Sequence, residues 1–103
     1  EKVKTLNQEG LPTIITGDFN LTPFTQPIQK MQSNFDDVQK NLPQSDPYYG
    51  TSNGFDTEKN AEHRIDYIFV KNLQTKNAKH IYKKTPMGGW ASDHHPVIAI
   101  LDN

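Results

Sequence analysis

Apolar residues fall into short runs along this chain, and the spacing within each run assigns an element. Thr13-Ile14-Ile15-Thr16 predicts a short buried strand that ends at Gly17-Asp18. Thr25 is placed to cap a helix, Pro27 sits in its first turn, and Ile28, Met31 and Phe35 recur at helical spacing. Asp36 to Lys40 predicts a further helical turn. Arg64 to Val70 is the clearest strand. Gln74 to Lys83 is a weaker one, and the tight Lys71-Asn72-Leu73 turn predicts a hairpin between the two. Val97 to Leu101 is unbroken apolar sequence, which predicts a strand buried on both faces. Ahead of these, Val3 and Leu6, then Gly10 and Pro12, predict the last turns of a helix and its glycine end.

The elements add up to an α+β or α/β arrangement, with about four strands in one mixed sheet and one covering helix. Ile65, Tyr67 and Phe69 share one face of the central strand. Arg64 and Asp66 begin the other face, which Ile68 and Val70 continue. One helix covers one face of a sheet. The second face therefore expects either another copy of the chain or a further segment. For this chain alone, self-association through that face is the expectation, read by sedimentation.

Length and composition narrow the function. The 103 residues amount to one domain at most, and 33% are hydrophobic. No apolar run reaches the ~18 residues of a membrane span. Cysteine is absent, which removes disulfides, thiolate metal sites and a cysteine nucleophile. Eleven basic and twelve acidic residues give a net charge of -1, so no global field draws in nucleic acid or membrane. Ten of the basic residues are lysines, and the one arginine is Arg64.

Three polar clusters are candidates for chemistry. Gly17-Asp18-Phe19-Asn20 closes the first strand, although Asp, Asn and Gly also simply end strands. Arg64 and Asp66 open the central strand, where a structural ion pair between them is the plain alternative. Ser92-Asp93-His94-His95 precedes the last strand, either as a site or as a His-rich polar loop. All three lie at strand ends, where sites commonly form. Their carboxylate and amide oxygens suit Mg²⁺, Mn²⁺ or Ca²⁺, and a carboxylate–imidazole pair suits orienting a water nucleophile or stabilising a developing anion. Zinc spacing, a nucleophile elbow around Ser92 and phosphate-binding glycine loops are all missing.

In this order, GDFN, RIDYIFV and SDHHPV resemble the C-terminal half of the endonuclease/exonuclease/phosphatase (DNase I-like) superfamily. Gly50-Thr51-Ser52-Asn53-Gly54-Phe55 is similar to a loop of many bacterial members, with Ser52 in place of the usual aromatic. The resemblance implies half of a four-layer α/β sandwich, with residues 1–103 as the C-terminal portion of one domain. It implies a phosphoesterase using Mg²⁺ or Mn²⁺. Asp18 would orient or deprotonate the attacking water and help hold metal. Asn20 would bind the scissile phosphate or position Asp18. Asp66 would hold the His94 imidazole, His94 would contact the phosphate, and Asp93 would serve the metal. His95 and Arg64 would be structural neighbours.

The family's principal metal-ligand glutamate has no match: Glu1, Glu9, Glu58 and Glu62 stand in other contexts. The resemblance thus implies that this chain alone binds metal weakly and turns over little. A catalytically dead binding domain is the competing reading; mutating Asp18 and His94 in the full-length protein separates the two. The substrate stays open among nucleic acid, a small phosphate ester and a lipid headgroup. Tyr48, Tyr49, Phe55, Lys59 and Trp90 are the loop residues available to it. Trp90 is the candidate substrate contact, with loop anchoring as the alternative for all the aromatics.

Overall fold

The structure is a computed structural model that describes residues 10–40, 49–57, 61 and 63–102. The helix expected before Gly10, all four glutamates, Tyr48 and Lys59 lie outside the described residues. Among those residues, no helix is long and apolar enough to cross a membrane.

Six elements follow in order: β1 (Thr13–Asp18), α1 (Gln26–Asn34), β2 (Asp36–Asp37), β3 (Asp66–Lys71), β4 (Gln74–His80) and β5 (Val97–Asp102). β3 is the centre of a three-stranded sheet, with β1 on one edge and β2 on the other. Both pairings are antiparallel. β4 and β5 form a separate antiparallel pair.

This corrects the expected single mixed sheet of about four strands. The β3–β4 hairpin does not form, because β1 and β2 already occupy both edges of β3. Asn72 turns the chain away at φ 61, and its side-chain amide donates to the Gly10 carbonyl at 2.6 Å. The helical turn expected over Asp36–Lys40 is also replaced. Phe35 leaves the helix in extended geometry (φ -138, ψ 155), and Asp36 and Asp37 then pair with Val70 and Phe69.

β2 stops after two residues, so side chains complete the rest of that edge of β3. Ile68 N–H donates to Gln39 Oε1 at 3.2 Å, and Gln39 Nε2 donates to the Asp66 carbonyl at 2.9 Å. Asp66 N–H donates to Thr51 Oγ1 at 3.2 Å. Gln39 and Thr51 are both fully buried. A buried backbone group needs such a partner, and each side-chain amide or hydroxyl here stands in for a missing strand.

The core lies between α1 and one face of β3. Ile28, Phe35, Tyr67 and Phe69 are buried together, with Ile15, Phe19, Leu21 and Met31 packed against them. Tyr67 and Phe69 stack at 5.3 Å, and Phe19 meets Tyr67 edge-on at 5.5 Å. These contacts orient β3 so that Asp66 and Ile68 point to the opposite face.

Part of that opposite face is open, as the sequence leads one to expect, and two strands are less buried than it predicts. β1 is not a buried strand: Ile14 is 55% exposed. β5 is not buried on both faces either, since its burial alternates and Ile100 is 55% exposed. Among the described residues, α1 packs on the Tyr67–Phe69 side; on the other side Val70 is fully buried while its partner Ile14 stays open.

Candidate active site

Strand register places the first two site residues. Asp18 and Asp66 are direct partners across β1 and β3, and direct antiparallel partners share a face. The chain turns sharply after Asp18. Phe19 sends its ring into the core while its N–H bonds the Ile65 carbonyl at 2.9 Å. Asn20 sits at φ 54, and its N–H donates to Asp18 Oδ1 at 2.9 Å. Asn tolerates this left-handed geometry better than most residues. The turn reading and the site reading of GDFN therefore describe the same atoms: the turn holds the Asp18 carboxylate in place.

His94 arrives from the loop before β5. Its Nδ1 lies 2.7 Å from Asp66 Oδ2, and its Nε2 lies 3.9 Å from Asp18 Oδ2. Because a carboxylate only accepts, Nδ1 carries the proton in that bond. Nε2 is left facing Asp18 across a gap too long for a direct hydrogen bond and suited to a bridging oxygen. One donor atom from each of Asp18, Asp66 and His94 falls within 4.8 Å of the others. The three line an open groove of about 500 Å³ with Thr16, Gly17, Ile68, Ser92 and Pro96 among its walls.

The two histidines differ in environment. The Asp66 hydrogen bond raises the His94 pKa most; partial burial works against it, and the charges of Asp66, Asp18 and Asp93 reinforce it. His95 is buried at 4% exposure, with its ring 4.1 Å from Tyr82 and 4.5 Å from Trp90. Burial lowers its pKa, and the neighbouring His80 and His94 lower it further.

In the metal-free protein, the His94 imidazole should therefore titrate above the ordinary histidine value of 6.5 and His95 below it. Linkage follows with opposite signs. The stability His94 contributes is full below its unfolded-state pKa and is lost as pH rises through its raised folded value. The contribution of His95 is full above its unfolded-state pKa and is lost as pH falls through its lowered folded value. Residue-resolved NMR titration checks the order; equal midpoints, or the reverse order, would refute it.

Asp93 is exposed next to His94, and its carbonyl accepts from Asn53 N–H at 2.8 Å. Asn20 is exposed, and its contact with Asp18 runs through the backbone amide. Trp90 stands apart from the groove walls. Its indole N–H donates to the Asp56 carbonyl at 2.7 Å, its ring packs on His95 and Tyr82, and Lys84 Nζ lies 5.1 Å over it.

Arg64 does not pair with Asp66. It makes a two-pronged contact with Asp37 at 3.0 and 2.7 Å, and its guanidinium lies over the Tyr67 ring at 4.9 Å. Burial is the largest influence and opposes its charge, but the hydrogen bonds and charges of Asp37 and Tyr49 together outweigh it and the pKa is raised. This arrangement leaves the Asp66 carboxylate free for His94. Sequence reasoning missed Asp37, Gln39 and Thr51 as supports of the site. For Thr51 a signal existed in the GTSNGF segment; for Asp37 and Gln39 no local signal did.

Residues 2–94 match the model of the Endonuclease/Exonuclease/phosphatase family. No curated protein matches the chain. Among solved structures, it is similar to a mannosyl-6-phosphatase of Bacteroides thetaiotaomicron, at 29% identity and TM-score 0.74 over 97% of this chain and 41% of that one. It is similar to a functionally unknown conserved protein of Enterococcus faecalis, at 31% identity and TM-score 0.78, covering 97% and 40%. An endonuclease/exonuclease/phosphatase family protein of Bacteroides thetaiotaomicron gives 30% identity and TM-score 0.75, covering 97% and 39%. The chain thus spans about two fifths of the proteins whose fold it shares.

Proposed function

Because this chain belongs to the endonuclease/exonuclease/phosphatase family, we propose that it carries one side of a divalent-metal-dependent phosphoesterase site, as the C-terminal portion of a longer domain. The observation that carries this reading is the 2.7 Å contact between His94 Nδ1 and Asp66, with Nε2 turned toward Asp18 in an open groove. The span of about two fifths of the solved relatives supports the domain assignment.

Each residue has a role that its position allows. Asp18, fixed by the Asn20 turn, orients the attacking water and takes its proton. His94 presents Nε2 to a phosphoryl oxygen and stabilises the charge that develops there. Asp66 holds Nδ1–H, which fixes the ring orientation and supports a cationic imidazole. Asn20 serves by shaping the Asp18 turn. Trp90 is left as a loop anchor in this reading, since its ring and N–H are already engaged.

The donor set fits a hard cation. Asp18 and Asp93 are exposed carboxylates beside His94, and carboxylate oxygens suit Mg²⁺ or Mn²⁺. His94 Nδ1 is committed to Asp66, so Asp18 is the exposed ligand that the cluster offers; the Asp93 carboxylate is outside that cluster and would serve from beside it. When bound, such an ion supplies charge neutralisation at the phosphoryl oxygens. The glutamate-ligand motif of the family has no match in the sequence, and on that ground the 103-residue chain alone is expected to show little turnover.

The substrate class stays within phosphate esters. Near-balanced charge gives no strong phosphate-backbone track. Similarity to a mannosyl-6-phosphatase makes a sugar phosphate the first substrate to try. The test is a panel of sugar phosphates, phosphodiesters and nucleic acid offered to the full-length protein with Mg²⁺ or Mn²⁺. Hydrolysis that a chelator abolishes is expected; a folded protein that hydrolyses none of them would overturn the reading.

A further inference from the structure

We propose that Thr51 is a positioning residue for the Asp66–His94 pair, registering the start of β3 against the loop before β5. This rests on the reading of that pair as hydrolytic machinery.

Among the described residues, no strand ladder joins β3, which begins at Asp66, to β5, which follows the loop carrying His94. The Asp66 and His94 side chains nonetheless meet at 2.7 Å. A contact that short needs something to fix the two backbones relative to each other. Thr51 touches both. Its Oγ1 accepts from Ile65 N–H at 3.0 Å and from Asp66 N–H at 3.2 Å. Its carbonyl accepts from His95 N–H at 2.6 Å. The side chain thus holds the first backbone and the main chain holds the second. Its own N–H donates to His63 at 2.9 Å, which ties the residue to the approach to β3.

Burial and chemistry both single out this position. Thr51 is fully buried, although it lies in a polar stretch that the sequence presents as loop. A hydroxyl oxygen has two lone pairs, enough for two N–H donors at once. Asn53 makes a second link, from N–H to the Asp93 carbonyl at 2.8 Å and from Nδ2 to the Ser92 carbonyl at 2.9 Å. Neither Asn53 bond reaches β3. Gln39 Nε2 does join the Asp66 carbonyl to His80 of β4, at 2.9 and 3.0 Å, but it does not touch the loop that carries His94; among the described residues Thr51 joins Asp66 to that loop directly.

A valine keeps the shape of threonine and removes the acceptor. Thr51→Val leaves two buried N–H groups without a partner and frees the start of β3 to shift. Sub-ångström movement there lengthens the Asp66–His94 bond. Thr51→Ser keeps the oxygen and serves as the rescue.

The experiment uses the full-length protein and two readouts. The first is the NMR signal of the His94 Nδ1 proton, taken without substrate or metal. The second is the kcat and KM of whichever phosphate ester the protein hydrolyses. Thr51→Val is expected to lose or shift the His94 proton signal and to lower kcat about 10- to 100-fold with little change in KM. Thr51→Ser is expected to restore both. A purely structural role would lower thermal stability while leaving the His94 signal and kcat as they were, and that result overturns the proposal. Should Thr51→Val fail to fold, Thr51→Cys weakens the acceptor in a similar shape and is held to the same criterion. Should no ester be hydrolysed, the functional reading fails while the proton signal still decides the role of Thr51.

Discussion

Replacing His94 with alanine in the full-length protein is expected to lower kcat about 10²- to 10⁴-fold with the fold intact. The range is that of a lost acid–base group or a lost donor at a developing anion. The fold should survive because the His94 side chain is 28% exposed and carries no part of the core. Asp66→Asn should cost less. It keeps the shape at Oδ2 but removes the charge that raises the His94 pKa and fixes the ring. Steady-state kinetics beside circular dichroism reads both variants. A His94→Ala protein that folds and works within a factor of a few of the parent would remove His94 from the chemistry.

The second large effect is on stability. Asp37→Ala should destabilise the protein by about 3–5 kcal/mol, the usual penalty for leaving a buried charge unpaired. Arg64 and Asp37 side chains are 3% and 1% exposed, so water does not replace the lost partner. The Arg64 guanidinium also lies between Tyr67 and Tyr49, at 4.9 and 5.7 Å from their rings, which restrains it from swinging out. Among the described residues, Arg64 Nε has no hydrogen-bond partner. Replacing both residues with apolar ones of similar volume should cost much less than either single change. Denaturant unfolding distinguishes these outcomes. A loss below about 1 kcal/mol for Asp37→Ala, typical of an exposed pair, would show that the charge is not confined as described.

Local pattern located β1, α1, β3 and β5, because each has an apolar rhythm of its own. It also found Asp18, Asp66 and His94, which strand ends bring together. β2 left no trace: two aspartates are poor strand formers, and Asp37 is held in its strand by an arginine 27 residues away. The β3–β4 hairpin was the natural inference from a short turn. It fails because competition for the edges of β3 is decided by residues far off in sequence. The same distance hid the partner of Arg64. An ion pair with Asp66 is the plain alternative for neighbours on a strand, yet the bidentate geometry with Asp37 wins. Gln39 and Thr51 read as loop residues because their work is to replace strand backbone, which no local period records. Burial was over-read at Ile14 and Ile100, where hydrophobicity marks a face without naming what lies against it.

Asp18, Asp66 and His94 are proposed to form one side of a metal-assisted phosphoesterase site. The most direct test is the rate of phosphate-ester hydrolysis by the full-length protein and its Asp18→Asn variant, each with Mg²⁺ and with chelator. Asp18→Asn keeps the size and the turn-forming oxygen at this position but removes the charge. The account predicts chelator-sensitive hydrolysis by the parent and a loss of about 10²-fold or more in the variant. A folded Asp18→Asn protein that matches the parent, or hydrolysis indifferent to the metal, would contradict it.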